Sequence, residues 1–327
     1  MNLSKLNTKS SNMSEAQQLI GNNDKNIKTL EKLFHVQLIF KGDEFFVGTE
    51  DEKILNMITD VINAMKQIIS RNINITSRDV TYLANMVREG KLDEALDIYF
   101  NRKEIITTFS GKTIYAKSII QRLYLKAINE NDLVFGIGPA GTGKTFVAVI
   151  HAVQKLKTQE IKKIILTRPA VEAGESLGFL PGDLKEKVDP YLQPLYDALY
   201  EALGQKNVET FLDKGIIEIA PLAYMRGRTL DNAYVILDEA QNTTEKQMKM
   251  FLTRLGMNSK MIITGDITQI DLPGKEKSGL VVAAKLLKDV NGIELIKFSK
   301  VDVIRHPLVQ EILRKYEKYE NGQNKLL

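Results

Sequence analysis

Residues 138–145, with the sequence Gly-Pro-Ala-Gly-Thr-Gly-Lys-Thr, constrain the fold of this chain more than any other feature. They match the pattern G-x-x-x-x-G-K-[ST], directly between an apolar run, LVFGI, and a segment of helical character, FVAVIHAV. Glycines in such a loop let backbone N–H groups converge on phosphate oxygens, and the following helix adds the positive end of its dipole. The pattern therefore predicts a phosphate-binding loop between a β-strand and an α-helix.

The residues of this loop have separate expected roles. We expect Lys144 to reach the β- and γ-phosphates of a nucleotide, and the hydroxyl of Thr145 to ligate Mg²⁺. The backbone of the remaining loop would surround the phosphates, because side chains there would intrude on them. The expected nucleotide-binding residues are Gly138, Pro139, Ala140, Gly141, Thr142, Gly143, Lys144 and Thr145.

A second signal is the run Tyr-Val-Ile-Leu-Asp-Glu at residues 234–239. Its four apolar residues deliver two carboxylates to the C-terminal end of a strand, the edge at which open α/β sheets bind ligands. We assign Asp238 to Mg²⁺, through its hydration shell, and Glu239 to the activation of water. Alone, such a run fits a strand that ends in a solvated acidic turn equally well. Beside a phosphate-binding loop, it indicates nucleotide hydrolysis.

Two further positions are candidates for contact with the nucleotide. Residues 261–269 form a buried strand that ends in polar residues, so that Thr264 or Gln269 can bond the γ-phosphate or the attacking water. The alternative is a turn in which Asp266 caps the following chain. Gln121, on a predicted helix, carries an amide that can both donate to and accept from an adenine edge, which would select ATP; a solvated surface glutamine is the alternative.

The distribution of apolar runs predicts an α/β layered fold. After residue 105, predicted strands alternate with helices, and several strands are almost wholly apolar, as in parallel sheets that are buried on both faces. The strands are predicted at 133–137, 163–167, 216–219, 234–238, 261–264 and 294–298, and the main helices at 144–156, 184–203 and 244–255.

The first 105 residues differ in character from the rest. Residues 1–27 are rich in Asn, Ser and Lys, which predicts a mobile tail. A small α+β unit follows, and the stretch 77–100 predicts one or two more helices. The predicted elements of the α+β unit are a helix at 27–34, strands at 36–40 and 44–47, and a helix at 54–69. The predicted division of the chain is 1–27, 28–105 and 106–327.

Composition excludes several classes of site. None of the 327 residues is cysteine, which excludes disulfide frameworks, iron–sulfur sites and thiol nucleophiles and suits the reducing cytoplasm. No apolar run approaches the roughly 18 residues of a membrane helix, so we expect a cytoplasmic protein without a membrane partner. The net charge of +4 permits a nucleic-acid partner and fits an ordinary charged surface equally well.

Five segments resemble the PhoH family, in the same order along the chain, and the resemblance covers most of the sequence. That family in turn resembles the first RecA-like domain of superfamily 1 helicases. The resemblance implies a P-loop NTPase fold, with a RecA-like parallel sheet, helices on both faces, and the strand of Thr264 between those of the P-loop and Asp238. The segments are GIGPAGTGKT at 136–145, TRPAVEAGESLGFLPGD at 167–183, LDEAQN at 237–242, TGDITQIDLPG at 264–274 and RHPLV at 305–309.

The resemblance also assigns residues. It implies that Gln121 reads adenine, and that Gly265 and Asp266 with Gln269 form a γ-phosphate-sensing motif. Arg305 becomes a candidate for nucleotide contact in its own or a neighbouring subunit, where it would stabilise transition-state charge. The expected catalytic residues are Lys144, Asp238, Glu239, Gln269 and Arg305, and the other candidate arginines are Arg168, Arg226, Arg228 and Arg254.

Residues 26–70 resemble the KH-like segment that some PhoH-like proteins carry. A KH domain clamps RNA with a GXXG loop, and that sequence does not occur in residues 1–105. We therefore expect a structural module here. Tyr224, Arg226 and Arg228 instead make a basic loop with an aromatic side chain, which suits single-stranded RNA or is simply solvated.

The leading functional expectation is a Mg²⁺-dependent ATPase of the PhoH type that acts on or with RNA. The alternative is a nucleotide-gated switch that recruits an RNA-processing or ribosome-associated protein, with slow hydrolysis as a timer. A kinase of small molecules is a third and weaker reading. Only 58 residues follow Gln269, too few for a second RecA-like domain, so we expect a homo-oligomer, such as a ring, in which a neighbouring subunit supplies an arginine.

Overall fold

The computed structural model describes residues 3–169, 184–274 and 276–303, together with 308, 309, 312, 315, 316 and 319; the side chains of 184–191 and of 300 are not described. The chain divides into two compact units. One comprises Met1–Arg102 together with Val301–Leu327, and the other comprises Lys103–Lys300. Among the described residues, no helix is both long and apolar enough to cross a membrane.

The first unit is a three-stranded antiparallel sheet with helices. Its elements are β1 (Ser4–Lys9), α1 (Met13–Ile20), α2 (Lys25–Phe34), β2 (Leu38–Lys41), β3 (Glu44–Val47), α3 (Glu52–Ile69), α4 (Ser77–Arg88) and α5 (Leu92–Phe100). The sheet has the order β1-β3-β2. The long helix α3 is capped by Asp51, whose carboxylate accepts from the first-turn N–H groups, and its buried face packs on β1, α1 and α4.

The expectation of a mobile tail over residues 1–27 is corrected by the structure. Strand β1 pairs antiparallel with β3 and buries Leu6, although its sequence, SKLNTK, offers only this one large apolar side chain. Helix α1 then begins at the cap Asn12 and buries Ala16 and Leu19. Low hydrophobicity suggested disorder, whereas backbone pairing to β3, which lies about 40 residues away in the sequence, orders the segment.

The second unit contains the six-stranded sheet that the sequence predicts. A short antiparallel hairpin over residues 104–115, which the apolar pattern did not indicate, comes before it. The elements are β4 (Glu104–Thr107), β5 (Thr113–Tyr115), α6 (Ile119–Glu130), β6 (Leu133–Ile137), α7 (Lys144–Lys157), β7 (Lys163–Arg168), α8 (Leu184–Leu203), α9 (Gln205–Asp213), β8 (Ile217–Pro221), β9 (Ala233–Leu237), α10 (Glu245–Leu252), β10 (Lys260–Gly265), α11 (Gly279–Leu286) and β11 (Ile293–Lys297).

The large sheet is parallel throughout, with the strand order β11-β6-β10-β9-β7-β8. Strand β10 therefore lies between β6 and β9, as the resemblance implied. Alternate residues of the strands point to opposite faces, which makes two cores. On one face Val134 and Ile236 pack with α6, α7, α8 and α9. On the other, Phe135 and Leu237 pack with α10 and α11, so the prediction of an α/β fold with helices on both faces is confirmed.

Candidate nucleotide site

The predicted phosphate-binding loop lies between β6 and α7, at the C-terminal edge of the sheet. Three of its glycines have positive φ: Gly138 at +153°, Gly141 at +85° and Gly143 at +83°. Space adds a second constraint at Gly138 and Gly143. A Cβ at Gly138 would overlap the carbonyl of Phe298, and one at Gly143 would lie 2.9 Å from the Gln121 side-chain nitrogen. Both positions therefore require glycine, because backbone conformation and space exclude a side chain together.

Lys144 and Gln121 hold this loop from within. The buried ammonium of Lys144 donates to the carbonyls of Gly138, at 2.6 Å, and Pro139, at 2.8 Å. The amide of Gln121 is also buried; Nε2 donates to the Thr142 carbonyl at 2.9 Å, and Oε1 accepts from a backbone N–H one turn earlier. Gln121 thus contacts the phosphate loop itself. Its predicted contact with adenine remains a prediction.

Asp238 follows β9 directly and is the centre of a cluster of oxygen atoms. Its Oδ1 accepts a hydrogen bond from the hydroxyl of Thr145, at 2.6 Å, and another from the hydroxyl of Thr264, at 2.8 Å. The adjacency of β6, β10 and β9 brings these three side chains together from helix α7, strand β10 and strand β9. The structure thus brings Asp238 and Thr145, the two residues expected to bind Mg²⁺, into direct contact.

Glu239 lies beside Asp238 in a left-handed backbone conformation, with φ of +51°. One carboxylate oxygen, Oε1, is 2.8 Å from Nη2 of Arg168, which ends β7. The other, Oε2, accepts from Nε2 of Gln241 at 2.6 Å. Left-handed non-glycine residues cluster at functional sites, where the surrounding contacts maintain them.

Gln241 is a buried residue that the sequence reasoning missed. Besides Glu239, its Nε2 donates to the backbone carbonyl of Gln269 at 3.1 Å, and its Oε1 accepts from the backbone N–H of Asp266 at 3.0 Å. It is only 1% exposed. Its place two residues after Glu239, in the run LDEAQN, was the available signal, since a polar side chain so close to a buried strand must find internal partners.

Asp266 joins the loop after β10 to the phosphate-binding loop. Its Oδ2 accepts from the backbone N–H of Ala140 at 3.0 Å, and its Oδ1 accepts from the N–H and hydroxyl of Thr268. Oδ1 of Asp266 therefore caps the following turn, as the alternative interpretation expected, and Oδ2 additionally contacts Ala140. Gln269 places its backbone within this network, while its side chain is exposed.

These groups border one cavity of about 390 Å³. The cavity brings together Lys144, Thr145, Arg168, Asp238 and Glu239, with Asp266 and part of α8 completing its wall. Among the described residues, neither Gln121 nor Gln269 lines it. The arrangement offers backbone N–H groups and an ammonium for phosphate, next to two carboxylates, which is the chemistry of a site for a nucleoside triphosphate.

The candidate arginines are in different environments. Arg228 binds both oxygens of the Glu218 carboxylate, and Arg254 donates to the Arg228 carbonyl at 2.9 Å, so both are engaged in packing the sheet edge. Arg226 is exposed. Arg305 lies outside the described residues, and its predicted contact with the nucleotide stays a prediction.

Comparison with known proteins identifies the family to which this chain is similar. A family model described as PhoH-like protein matches residues 113–317. A PhoH-like protein of Bacillus subtilis is 55% identical over 314 residues, 96% of this chain and 97% of that protein, and one of Synechocystis is 49% identical over 93% of this chain and 92% of that protein.

Two further matches are partial. Protein PhoH of Escherichia coli is 48% identical over 205 residues, which are 62% of this chain and 58% of that protein. The Sulfolobus solfataricus SWI2/SNF2 ATPase core in complex with dsDNA aligns with 44% of this chain and 29% of its own, at 17% identity and a TM-score of 0.27, a likeness too slight to bear on the site. The extent of the family match and of the two long alignments shows that this chain, with its P-loop NTPase fold, belongs to the PhoH-like protein family.

Proposed function

We propose that this protein binds ATP together with Mg²⁺, hydrolyses the γ-phosphate, and couples hydrolysis to RNA. The observation that carries the proposal is the position of Asp238. Its carboxylate binds the Thr145 and Thr264 hydroxyls at the wall of the cavity that also holds Lys144, and Glu239 stands beside it. A phosphate cradle with one carboxylate for a metal and a second for water is the composition that hydrolysis requires.

The residues around Asp238 fit a magnesium ion. The polar atoms that meet there are a carboxylate and two hydroxyls, and hard divalent cations prefer oxygen ligands. Thr145 and Asp238 are the residues that would hold the ion. The chemistry that Mg²⁺ would supply there is partial neutralisation of the negative charge of the phosphate groups.

The remaining chemistry belongs to side chains of this chain. Glu239 orients a water molecule and takes its proton as the water oxygen bonds to the γ-phosphorus. The bond between that phosphorus and the oxygen bridging to the β-phosphate breaks, and its electron pair leaves with ADP. Lys144 offsets the charge that accumulates on the phosphate oxygens, and Gln269 stays the proposed sensor of the γ-phosphate.

RNA is the proposed partner because of the loop that comes before β9. Arg226 and Tyr224 are exposed there, the latter by 47%, so a cation and an aromatic face are available to a single strand. Arg228 is already held by Glu218, which leaves Arg226 as the cation of this loop for RNA. A homo-oligomer, such as a ring in which Arg305 reaches a neighbour's nucleotide, belongs to the same proposal.

A nucleotide-gated switch is the second candidate function. The observation that favours it is the ion pair between Arg168 and Glu239, because a base whose oxygen is held by a cation makes turnover slow. In that case ATP occupancy would recruit an RNA-processing or ribosome-associated protein, and hydrolysis would end the interaction.

The experiment is steady-state phosphate release from ATP by the full chain, with and without single-stranded RNA, and with Mg²⁺ or excess chelator. We expect RNA to raise turnover. Both excess chelator and Asp238→Asn should lower turnover about 100-fold, since the chelator removes the metal ion and the substitution removes the carboxylate that would hold it. Slow turnover that ignores RNA, with ATP still bound, would move the conclusion to the switch. If Asp238→Asn left turnover unchanged, the proposal that hydrolysis takes place at this site would be refuted. Sedimentation with ATP and Mg²⁺ tests the oligomer, and a monomer alone would refute the ring.

A further inference from the structure

The Glu239 carboxylate is held from two sides by very different partners. On Oε1 the partner is the guanidinium of Arg168, 20% exposed and part of the cavity wall. On Oε2 the partner is the amide of Gln241, which is buried. One contact is an ion pair at the cavity surface, and the other is a neutral hydrogen bond inside the protein.

The Gln241 side of this arrangement is firmly built. Both hydrogens of its amide nitrogen are used, one on Glu239 and one on the Gln269 carbonyl, and its oxygen accepts from the Asp266 N–H. Asp266 in turn accepts from Ala140 of the phosphate-binding loop. Gln241 therefore ties Glu239 to the loops that surround the phosphates, and a buried, fully bonded amide does not change partners readily.

The Arg168 side is more accessible to solvent. Arg168 is the last residue of β7, and Glu239 is the second residue after β9, the neighbouring strand. Their ion pair is part-exposed on both sides, at 20% and 33%, so water competes with it and it can open at modest cost. The contact directs Oε1 toward the end of β7. A carboxylate that acts as a base must instead turn an oxygen to the water that it deprotonates.

We propose that Arg168 is a latch on Glu239, that hydrolysis requires this ion pair to open, and that Gln241 holds the carboxylate in place when it does. The inference rests on the proposed hydrolysis of ATP at this site. Arg168 and Gln241 are both positioning residues, because each acts through Glu239. They act in opposite directions, Arg168 retaining the carboxylate away from the water and Gln241 presenting it.

Opposite signs distinguish this arrangement from a structural role. If both side chains only stabilised the fold, removing either would slow turnover. If Arg168 is a latch, Arg168→Gln raises the kcat for ATP without RNA by about fivefold or more, because the open population of the pair increases. Gln241→Met lowers the kcat by about tenfold, because Glu239 then loses the hydrogen bond that holds it in place when the ion pair with Arg168 opens. Because Arg168 lines the cavity, the kcat values are compared at saturating ATP, where a change in ATP affinity does not affect the comparison.

The test measures kcat at saturating ATP and ATP affinity by titration of a fluorescent analogue, in the full chain without RNA. Arg78→Gln and Gln205→Met, at exposed positions in the first unit and on α9, are the matched controls for the two substitutions. Gln241→Asn, which shortens the amide by one methylene group, gives a second variant should Gln241→Met not fold. Thermal unfolding of every variant reports on the fold.

Each outcome decides the proposal. A rise for Arg168→Gln with a fall for the Gln241 variants supports the latch, and so does hydrolysis by Arg168→Gln where wild type is silent. A fall for Arg168→Gln in an active wild-type background overturns the latch and leaves the proposed function standing. ATP binding without hydrolysis in wild type and Arg168→Gln alike would remove the proposed hydrolysis, and the latch with it.

Discussion

Two glutamate–arginine pairs in the same parallel sheet are built in contrasting ways. Glu218, on the edge strand β8, has both oxygens bound by the fork of Arg228, at 2.5 and 2.9 Å, and Lys163 adds a third contact at 3.0 Å. Glu239 receives one contact from Arg168, at 2.8 Å, and is 33% exposed in a left-handed backbone at the cavity wall.

The contrast separates a carboxylate that stabilises the sheet from the one that we propose as the base in hydrolysis. Bidentate bonds from Arg228, followed by the contact with Lys163, lower the pKa of Glu218 to about 2, so that it stays charged at any ordinary pH. Arg228 is itself fixed by Arg254. Glu239 lacks the paired fork, and its backbone conformation carries a strain that local stability alone would not select.

The largest expected difference between the two glutamates is in turnover. Glu239→Gln removes the group that we propose as the acceptor of the proton from water, and we expect the kcat for ATP to fall by about 100-fold or more, with ATP binding retained. The corresponding substitution of the other glutamate, Glu218→Gln, should leave the kcat within about twofold of wild type. Phosphate release by the two variants checks both statements, and equal losses in both would abolish the distinction.

A second prediction concerns stability at acid pH. Two groups, His151 and Glu218, both contribute to the loss of stability on acidification, and their contributions have to be told apart. His151 on α7 is buried, and its ring nitrogens contact the Tyr234 hydroxyl and Oδ1 of Asn129. Burial lowers the pKa of His151 from 6.5 to about 4, so the imidazole is neutral at pH 7. The Asn129 oxygen accepts only, so Nε2 carries the single proton and Nδ1 accepts from the Tyr234 hydroxyl.

The sign of the effect follows from this shift. Between pH 6.5 and about 4 the unfolded chain binds a proton at His151 that the folded chain refuses, so stability falls as pH falls through this range, by up to about 3 kcal/mol. The contribution of Glu218 is intact above pH 4.5 and is lost only between there and about 2. Urea unfolding against pH should show His151→Gln removing the upper slope and Glu218→Gln the lower one. An unchanged upper slope in His151→Gln would refute this assignment.

The sequence predicted the strands of the large sheet because each is an apolar run, and it predicted Lys144, Thr145, Asp238 and Glu239 because their motifs are local. The Arg168–Glu239 pair could not be predicted in this way. It exists only because β7 and β9 are neighbours, an order that no single run of residues specifies. Gln241 escaped notice for a related reason, since its partners lie on a different loop.

The same limit explains two features that the sequence did not indicate, strand β1 in the first unit and the β4–β5 hairpin in the second. Strand β1 has the alternation of a half-buried edge strand with only Leu6 buried, and its composition is that of a tail. The β4–β5 hairpin is short, and its strands gain their order from pairing with each other. In both cases the stabilising partner is a backbone whose position is decided by the tertiary fold, and apolar periodicity carries no information about it.

A third difference lies in stability. Arg228→Ala leaves a partly buried Glu218 without its main partner, and we expect the free energy of unfolding to fall by about 1–2 kcal/mol after allowance for its exposure. Arg226→Ala, in the same loop at an exposed position, is the matched control and should change the free energy by less than about 0.5 kcal/mol. Urea unfolding at pH 7 measures both, and a loss as large in the control would show that the loop, not the ion pair, matters.

The smallest expected effect concerns the second partner of each carboxylate. Lys163 bonds Glu218 from a part-exposed position, 34% accessible, and exposed ion pairs contribute little. Lys163→Gln should therefore lower the free energy of unfolding by less than about 1 kcal/mol, by less still in 1 M NaCl, and leave the kcat unchanged. Gln241, the neutral second partner of Glu239, is expected to act on turnover instead. Urea unfolding and ATPase assays on the Lys163 and Gln241 variants compare these two second partners. A loss of turnover in Lys163→Gln would show that Glu218 and Glu239 belong to one network, which would contradict the distinction between them.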